Sequence, residues 1–274
     1  MFFRSTAAAL VASSSLVYAQ TSTVCNPLAT TCPADPAFGN EKVSCNFTSG
    51  PCVAFNPVAG TTIQYNGQGA VFTVGKETDA PTIMTSKYIF FGRVDVVLQA
   101  APGQGIVTSV VLQSDDLDEI DWEWIGSDSS QAQTNYFSKG NTSTYDRGKF
   151  HPVSNPASTF HTYGIQWNST AVVWTIDAAV VRTLAYNDAN GGQGFPQTPM
   201  QVKLGSWVAG RGSAAPGTVQ WAGGYADWSK APFSAYYKSI SVVDYAGADE
   251  PTTKSVKEYV YGDQSGTFKS IRCN

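Results

Sequence analysis

Between residues 61 and 245 the chain alternates short runs rich in Val, Ile, Thr, Tyr, Phe and Trp with clusters of Gly, Pro, Asn and Asp, the texture of strands separated by turns. The runs predict strands at 61–65, 70–74, 87–99, 106–113, 119–125, 134–137, 161–167, 171–176, 180–186, 201–207 and 236–244. No stretch holds apolar residues at helical spacing for three turns, so few helices are expected. This many strands suit two packed sheets, and no long Pro- or Ser-rich linker divides the region. The expectation is one all-β domain over 56–247, a sandwich of jelly-roll type. Residues 20–55 read as a Cys-bearing lead-in packed on the sandwich, and 248–274 as a polar extension along its edge.

Composition narrows the partners. With 42% hydrophobic and 14% charged residues, the 274-residue chain is too apolar for disorder and too poor in Lys, Glu and Arg for a coiled coil. A formal charge of -4 gives no broad cationic field for a nucleic-acid backbone or an anionic lipid surface, which leaves a neutral partner. Residues 1–19 read as a secretory signal peptide: Arg4, an apolar run from Ala7 to Val17, then Val17-Tyr18-Ala19 at the cleavage position. That run is broken by Ser13, Ser14 and Ser15 and is shorter than the roughly 20 residues of a membrane span. The chain stops at Asn274 without a hydrophobic anchor tail, so a secreted, extracellular product is expected.

Export permits disulfides. Short loops favour Cys25 with Cys32 and Cys45 with Cys52, although sequence alone allows other pairings, and Cys273 is left over. A zinc cluster finds no Cys-x2-Cys spacing and only His151 and His161, so no metal and no cofactor is expected. Sequons at Asn46, Asn141 and Asn168 agree with the secretory route.

The segment Asp118-Glu119-Ile120-Asp121-Trp122-Glu123-Trp124 is the most informative one. On a strand, Glu119, Asp121 and Glu123 share one face while Ile120, Trp122 and Trp124 share the other, whereas a helix would mix the two sets. A solvated face is the bland explanation, yet three carboxylates in a row repel one another, and strands are depleted in Asp. Calcium is the main metal alternative, but no loop with a turn glycine and converging carbonyls accompanies the motif. Glu119 and Glu123 have Cα atoms about 13 Å apart at a rise of roughly 3.3 Å, and side chains leaning toward Asp121 bring the carboxyls to within about 5–6 Å. A retaining glycosidase requires about 5–5.5 Å between its nucleophile and its acid. One proton should be held by such a group, and the carboxyls would titrate as a unit.

The 118–124 motif, Asn135-Tyr136-Phe137-Ser138-Lys139-Gly140, Phe160-His161-Thr162-Tyr163, the 200–207 segment and Gly217-Thr218-Val219-Gln220-Trp221-Ala222-Gly223-Gly224 together resemble the fungal Crh-type cell-wall transglycosylases of glycoside hydrolase family 16. The resemblance runs from about residue 57 to 245 and implies a concanavalin-like jelly roll with a concave substrate cleft. It also implies a retaining reaction in which chitin or β-glucan is cut and joined to a β-glucan acceptor. By position it implies Glu119 as nucleophile, Asp121 as supporting acid and Glu123 as general acid/base. Lys203, Trp207 and Thr218 fall on segments that line the donor groove in relatives, with Tyr136, Gln220 and Trp221 as further substrate-binding candidates.

Most aromatics in a sandwich fill its core, as expected for Trp167 and Trp174, and His161 reads as a structural hydrogen-bonding residue. Two other readings stand beside the transglycosylase: an endo-β-glucanase or chitinase-like hydrolase on the same residues, and a wall-binding lectin that performs no chemistry. A monomer is expected, with chitin and β-glucan polysaccharides as partners.

Overall fold

The computed structural model describes residues 23–274, so the expected signal peptide at 1–19 lies outside the described residues. The described strands are β1 (Asp35–Pro36), β2 (Lys42–Asn46), β3 (Phe55–Pro57), β4 (Gln64–Asn66), β5 (Gly69–Val74), β6 (Thr82–Thr85), β7 (Gly92–Gln99), β8 (Ile106–Ser114), β9 (Glu119–Ile125), β10 (Gln131–Phe137), β11 (Lys149–Pro152), β12 (His161–Trp167), β13 (Ala171–Ile176), β14 (Ala179–Ala185), β15 (Met200–Val208), β16 (Phe233–Asp244), β17 (Glu258–Tyr261) and β18 (Ile271–Cys273). One α-helix, α1 (Pro216–Trp221), follows β15. A seven-stranded antiparallel sheet ordered β11-β10-β9-β8-β15-β6-β3 packs on an eight-stranded one, β14-β13-β12-β7-β16-β5-β4 with β2 added against β16. The architecture is the expected jelly-roll sandwich.

Alternation explains the packing. Along β7, Val94, Val96 and Leu98 are buried while Arg93 and Asp95 stay half-exposed, as a strand with one covered face requires. Between the sheets lie Trp122, Trp124, Trp167, Trp174, Tyr163 and Tyr237, all fully buried. Buried indole N–H and phenol O–H groups need acceptors, and backbone carbonyls across the core supply them. Trp122 Nε1 donates to the Gly164 carbonyl at 3.1 Å, and Trp174 Nε1 to that of Asp121 at 3.1 Å. Tyr237 Oη donates to the Ser109 and Gly205 carbonyls at 2.8 Å. These bonds tie the two sheets together directly beneath β8, β9 and β15.

The strands expected at 119–125, 161–167 and 171–176 form with those bounds. The run at 87–99 does not form one strand, because the backbone turns at Phe91 (φ 58°) and Gly92 (φ 152°). A Cβ on Gly92 would strike the Val243 carbonyl, so this close approach to β16 needs glycine. Short strands such as β6 and β11 escape pattern reading because they offer only four residues of alternation.

The segments before and after the sandwich are built into it. Strand β2 extends the eight-stranded sheet, β3 edges the seven-stranded one, and β1, β17 and β18 form a small sheet of their own. Both disulfides take the short-loop pairing, Cys25–Cys32 and Cys45–Cys52, while Cys273 is free and half-buried. Asn46 and Asn141 are exposed, and Asn168 is half-buried with its amide donating to the Asp249 carbonyl at 3.3 Å.

Asp244, at the end of β16 and buried, joins three parts of the chain. Its Oδ2 accepts from Gly39 N at 2.7 Å and from the Tyr259 hydroxyl, and its Oδ1 accepts from Phe90 N at 2.9 Å and Ala246 N at 2.8 Å. An asparagine supplies one acceptor oxygen where four donors converge. Asp244→Asn is therefore expected to lower unfolding free energy by about 1–3 kcal/mol in urea titrations, with the 23–40 and 248–274 segments losing amide protection first.

Candidate active site

Strand β9 stands near the middle of the seven-stranded sheet, paired with β8 on one side and β10 on the other. Its apolar set Ile120, Trp122 and Trp124 enters the core, which forces Glu119, Asp121 and Glu123 onto the opposite face. Register adds their neighbours on that face. Gln113, Val111 and Ser109 of β8 oppose Glu119, Asp121 and Glu123, and Phe137, Asn135 and Gln133 of β10 oppose the same three residues. The outer face of the sheet therefore carries a polar patch centred on the three carboxyls.

The turn before β9 is pinned by Asp118. Its Oδ1 accepts from the Ser138 hydroxyl at 2.8 Å and Lys139 N at 3.0 Å, and its Oδ2 from Gln197 N at 2.8 Å and the Thr198 hydroxyl at 3.0 Å. Burial, with Asp116 next, lifts the Asp118 carboxyl to about 7 in spite of these donors. The residue preceding Glu119 is thus fixed from two loops, which sets where the strand begins.

Helix α1 and the loop leading to it fold against the same face. Val107, Ala209 and Ala222 make a small apolar cluster separate from the main core, with Trp207 and Trp221 packed on it. The two indoles stack at 6.1 Å and 24°, and Trp221 Nε1 donates to Gln133 Oε1 at 3.2 Å, beside the Glu123 position. Glu119, Asp121 and Glu123 are correspondingly only 1%, 0% and 8% exposed.

Burial decides the electrostatics. Desolvation, then the Glu119 charge, pushes Glu123 up to about 8. Desolvation also raises Asp121 well above its usual range, followed by the charges of Glu119 and Glu123 and a hydrogen bond with Glu119. The arrangement therefore favours protons on Asp121 and Glu123. A buried carboxylic acid beside a carboxylate is the pairing that acid-assisted cleavage of a glycosidic bond uses.

The other expected residues divide. Lys203 and Trp207 lie on the same face of β15 as the carboxyl patch, by their register with Val111 and Val107. The Lys203 ammonium donates to Gln113 Oε1. Tyr136 is not brought to the patch: it pairs with Ile120, packs in the core with 8% exposure, and has the Arg182 guanidinium 5.4 Å from its ring. A residue one position away from Asn135 on a strand must face the other side. Thr218 is half-buried and Gln220 exposed on α1. His161 bonds Asp177 Oδ2 at 2.7 Å and the Ser154 carbonyl at 2.8 Å, the structural role expected. Sequence reading missed Gln113, Gln133 and Asn135. The signal was available for Gln113, since a short turn between two strand runs predicts a hairpin that brings their facing ends together.

Residues 53–223 match the model of glycosyl hydrolases family 16. The chain belongs to this family. Crh-like protein 5 of Aspergillus fumigatus is 50% identical over 99% of the chain, and Crh-like protein 4 of the same organism 49% identical over 96%. The chain spans 67% and 56% of the lengths of these two relatives. The solved Crh5 transglycosylase in complex with NAG is 49% identical, with a TM-score of 0.85 over 91% of this chain and 100% of that one. As a family 16 member of the Crh-like group, the protein is an enzyme of the glycosidase and transglycosylase kind. Among the described residues no helix is long and apolar enough to cross a membrane.

An unfolded glutamic acid releases its proton near 4.5, whereas folded Glu123 holds it to about 8. Between these values the unfolded chain binds fewer protons, so the Glu123 contribution lowers stability as pH rises through the window. Glu123→Gln removes that penalty. Its melting temperature should exceed that of wild type by a margin that widens from pH 5 to pH 8, corresponding to about 1–3 kcal/mol at the upper end.

Proposed function

We propose that this family 16 member is a secreted, retaining transglycosylase that cuts chitin or β-glucan and transfers the cut chain to a β-glucan acceptor, cross-linking a fungal cell wall. The observation that carries the reading is the single strand face shared by Glu119, Asp121 and Glu123, on which burial and then the Glu119 charge raise the Glu123 carboxyl to about 8. Glu119 attacks the anomeric carbon, and Glu123 delivers its proton to the departing oxygen. The bond between sugar and leaving oxygen breaks as the bond to Glu119 forms. Glu123, now a carboxylate, then takes the proton of an incoming sugar hydroxyl, which displaces Glu119 and retains the anomeric configuration. Asp121, between them on the same face, is placed to share a hydrogen bond with Glu119 and hold its orientation.

Trp207 and Trp221 offer a stacked aromatic surface for the apolar faces of sugar rings, and kinship with the Crh5 transglycosylase supports transfer to a sugar over transfer to water. The two disulfides fit an extracellular setting, with residues 1–19 as the segment removed on export and 56–247 as the catalytic unit.

Incubation with chitin oligomers and fluorescently labelled β-1,3-glucan oligosaccharides should yield labelled hybrid chains. Release of shortened oligomers without any hybrid would leave a hydrolase in place of a transferase. Glu119→Gln and Glu123→Gln should each lower turnover by at least about 10³-fold while retaining oligosaccharide binding. Equal behaviour of wild type and Glu119→Gln on every glucan and chitin would establish a non-catalytic binding protein. The kcat/KM profile should fall on its alkaline side near pH 8, as Glu123 loses its proton.

A further inference from the structure

Lys203 stands on the carboxyl-bearing face of the sheet, and its ammonium is bonded there to a neighbouring side chain. It is mostly buried, and its Nζ donates to Gln113 Oε1 on the neighbouring strand β8. Gln113 Nε2 in turn donates to Glu119 Oε2 at 2.8 Å. The reach is diagonal: Lys203 pairs directly with Val111 and Gln113 with Gln201, whose own amide turns away to the Thr85 carbonyl at 2.7 Å.

The donor inventory of these groups fixes the direction of the chain of bonds. A lysine ammonium has three donors and no acceptor, so it must meet the oxygen of the Gln113 amide. The NH2 end of that amide must then face Glu119, and the Glu119 oxygen it meets must accept. A neutral carboxyl could also accept here through its carbonyl oxygen, but the bond to a carboxylate is the stronger one, the more so from an amide polarised by an ammonium. The bonding pattern consequently favours Glu119 as a carboxylate.

We propose that Lys203 is a positioning residue that acts through Gln113 to orient Glu119 and keep it ionised. This rests on the assignment of Glu119 as nucleophile made above. Other groups act on Glu119 as well. Asp121 and Glu123 on its own strand oppose its charge. Lys203, lowered by burial, is drawn back up by Glu119 first and then by Asp115 of the β8–β9 turn, so Asp115 competes for the same ammonium. From β10 comes neutral Phe137, whose ring has the Arg147 guanidinium 4.7 Å away. Lys203 is the cation whose bonds lead to Glu119 through one intervening side chain. No sugar need touch it for its effect.

The test compares pH profiles of kcat/KM for wild type, Lys203→Met, Lys203→Arg and Gln113→Leu on a chitin oligomer, with folding checked by near-UV circular dichroism. Lys203→Met should move the acid limb upward by about one pH unit and lower kcat about tenfold with KM little changed. Lys203→Arg should keep the limb near its wild-type position, and Gln113→Leu should reproduce the shift with the lysine still present. Carbon-13 NMR titration of Glu119 in the same proteins reads the ionisation without turnover. Where Lys203→Met does not fold, Gln113→Leu decides the matter. An unmoved acid limb, or a loss confined to KM, overturns the relay and makes Lys203 a sugar contact. If Glu119→Gln is inert in this assay while the limbs stay fixed, only the relay falls. An active Glu119→Gln removes the nucleophile assignment itself.

Discussion

The strict alternation of β9 is the constraint on which the rest depends. Trp122 is locked into the core by a bond from its indole to the Gly164 carbonyl of the opposite sheet, and the Asp121 carbonyl accepts from Trp174. Slipping the strand by one residue would place three carboxyls between the sheets and two indoles outside, a change the packing forbids. The aromatic side of the strand therefore holds the acidic side in place. The geometry of the acidic face is a by-product of core packing seen from the other side.

Burying carboxyls is costly unless protons or donors accompany them, and the site uses both. Glu123 and Asp121 are pushed toward the neutral form by desolvation and by the Glu119 charge, while Glu119 receives an amide donor backed by a partly buried ammonium. Three side chains of like chemistry thus meet different surroundings on one strand face. The same desolvation that raises Glu123 also strengthens every interaction that separates it from Glu119. The turn ahead of β9 repeats the theme: Asp118 is buried yet accepts four hydrogen bonds, so the start of the strand is defined by polar contacts.

Away from the site, the termini are structural members of the sandwich. The 23–57 segment adds β2 to one sheet and β3 to the other, and Asp244 gathers donors from Gly39, Phe90, Ala246 and Tyr259 at one end. None of this shows as periodicity, because short strands and single buried acceptors leave no repeating pattern. The interrupted run at 87–99 is the converse case: its composition reads as one strand, and a close backbone approach at Gly92 divides it.

Local alternation was legible in the sequence because a strand has a two-residue period, and any run that keeps hydrophobic and polar positions apart announces its faces. That much determined the all-β class, the β9 motif and the common face of Glu119, Asp121 and Glu123. Pairing is a property of two strands together, so only the tertiary structure decided that Tyr136 faces the core, that Gln113 and Gln133 flank the acids, and that Lys203 reaches across to an amide of the neighbouring strand. It also decided how far each carboxyl is removed from water. Burial comes from residues distant along the chain, and it is what raises the Asp121 and Glu123 carboxyls beside the charge of Glu119.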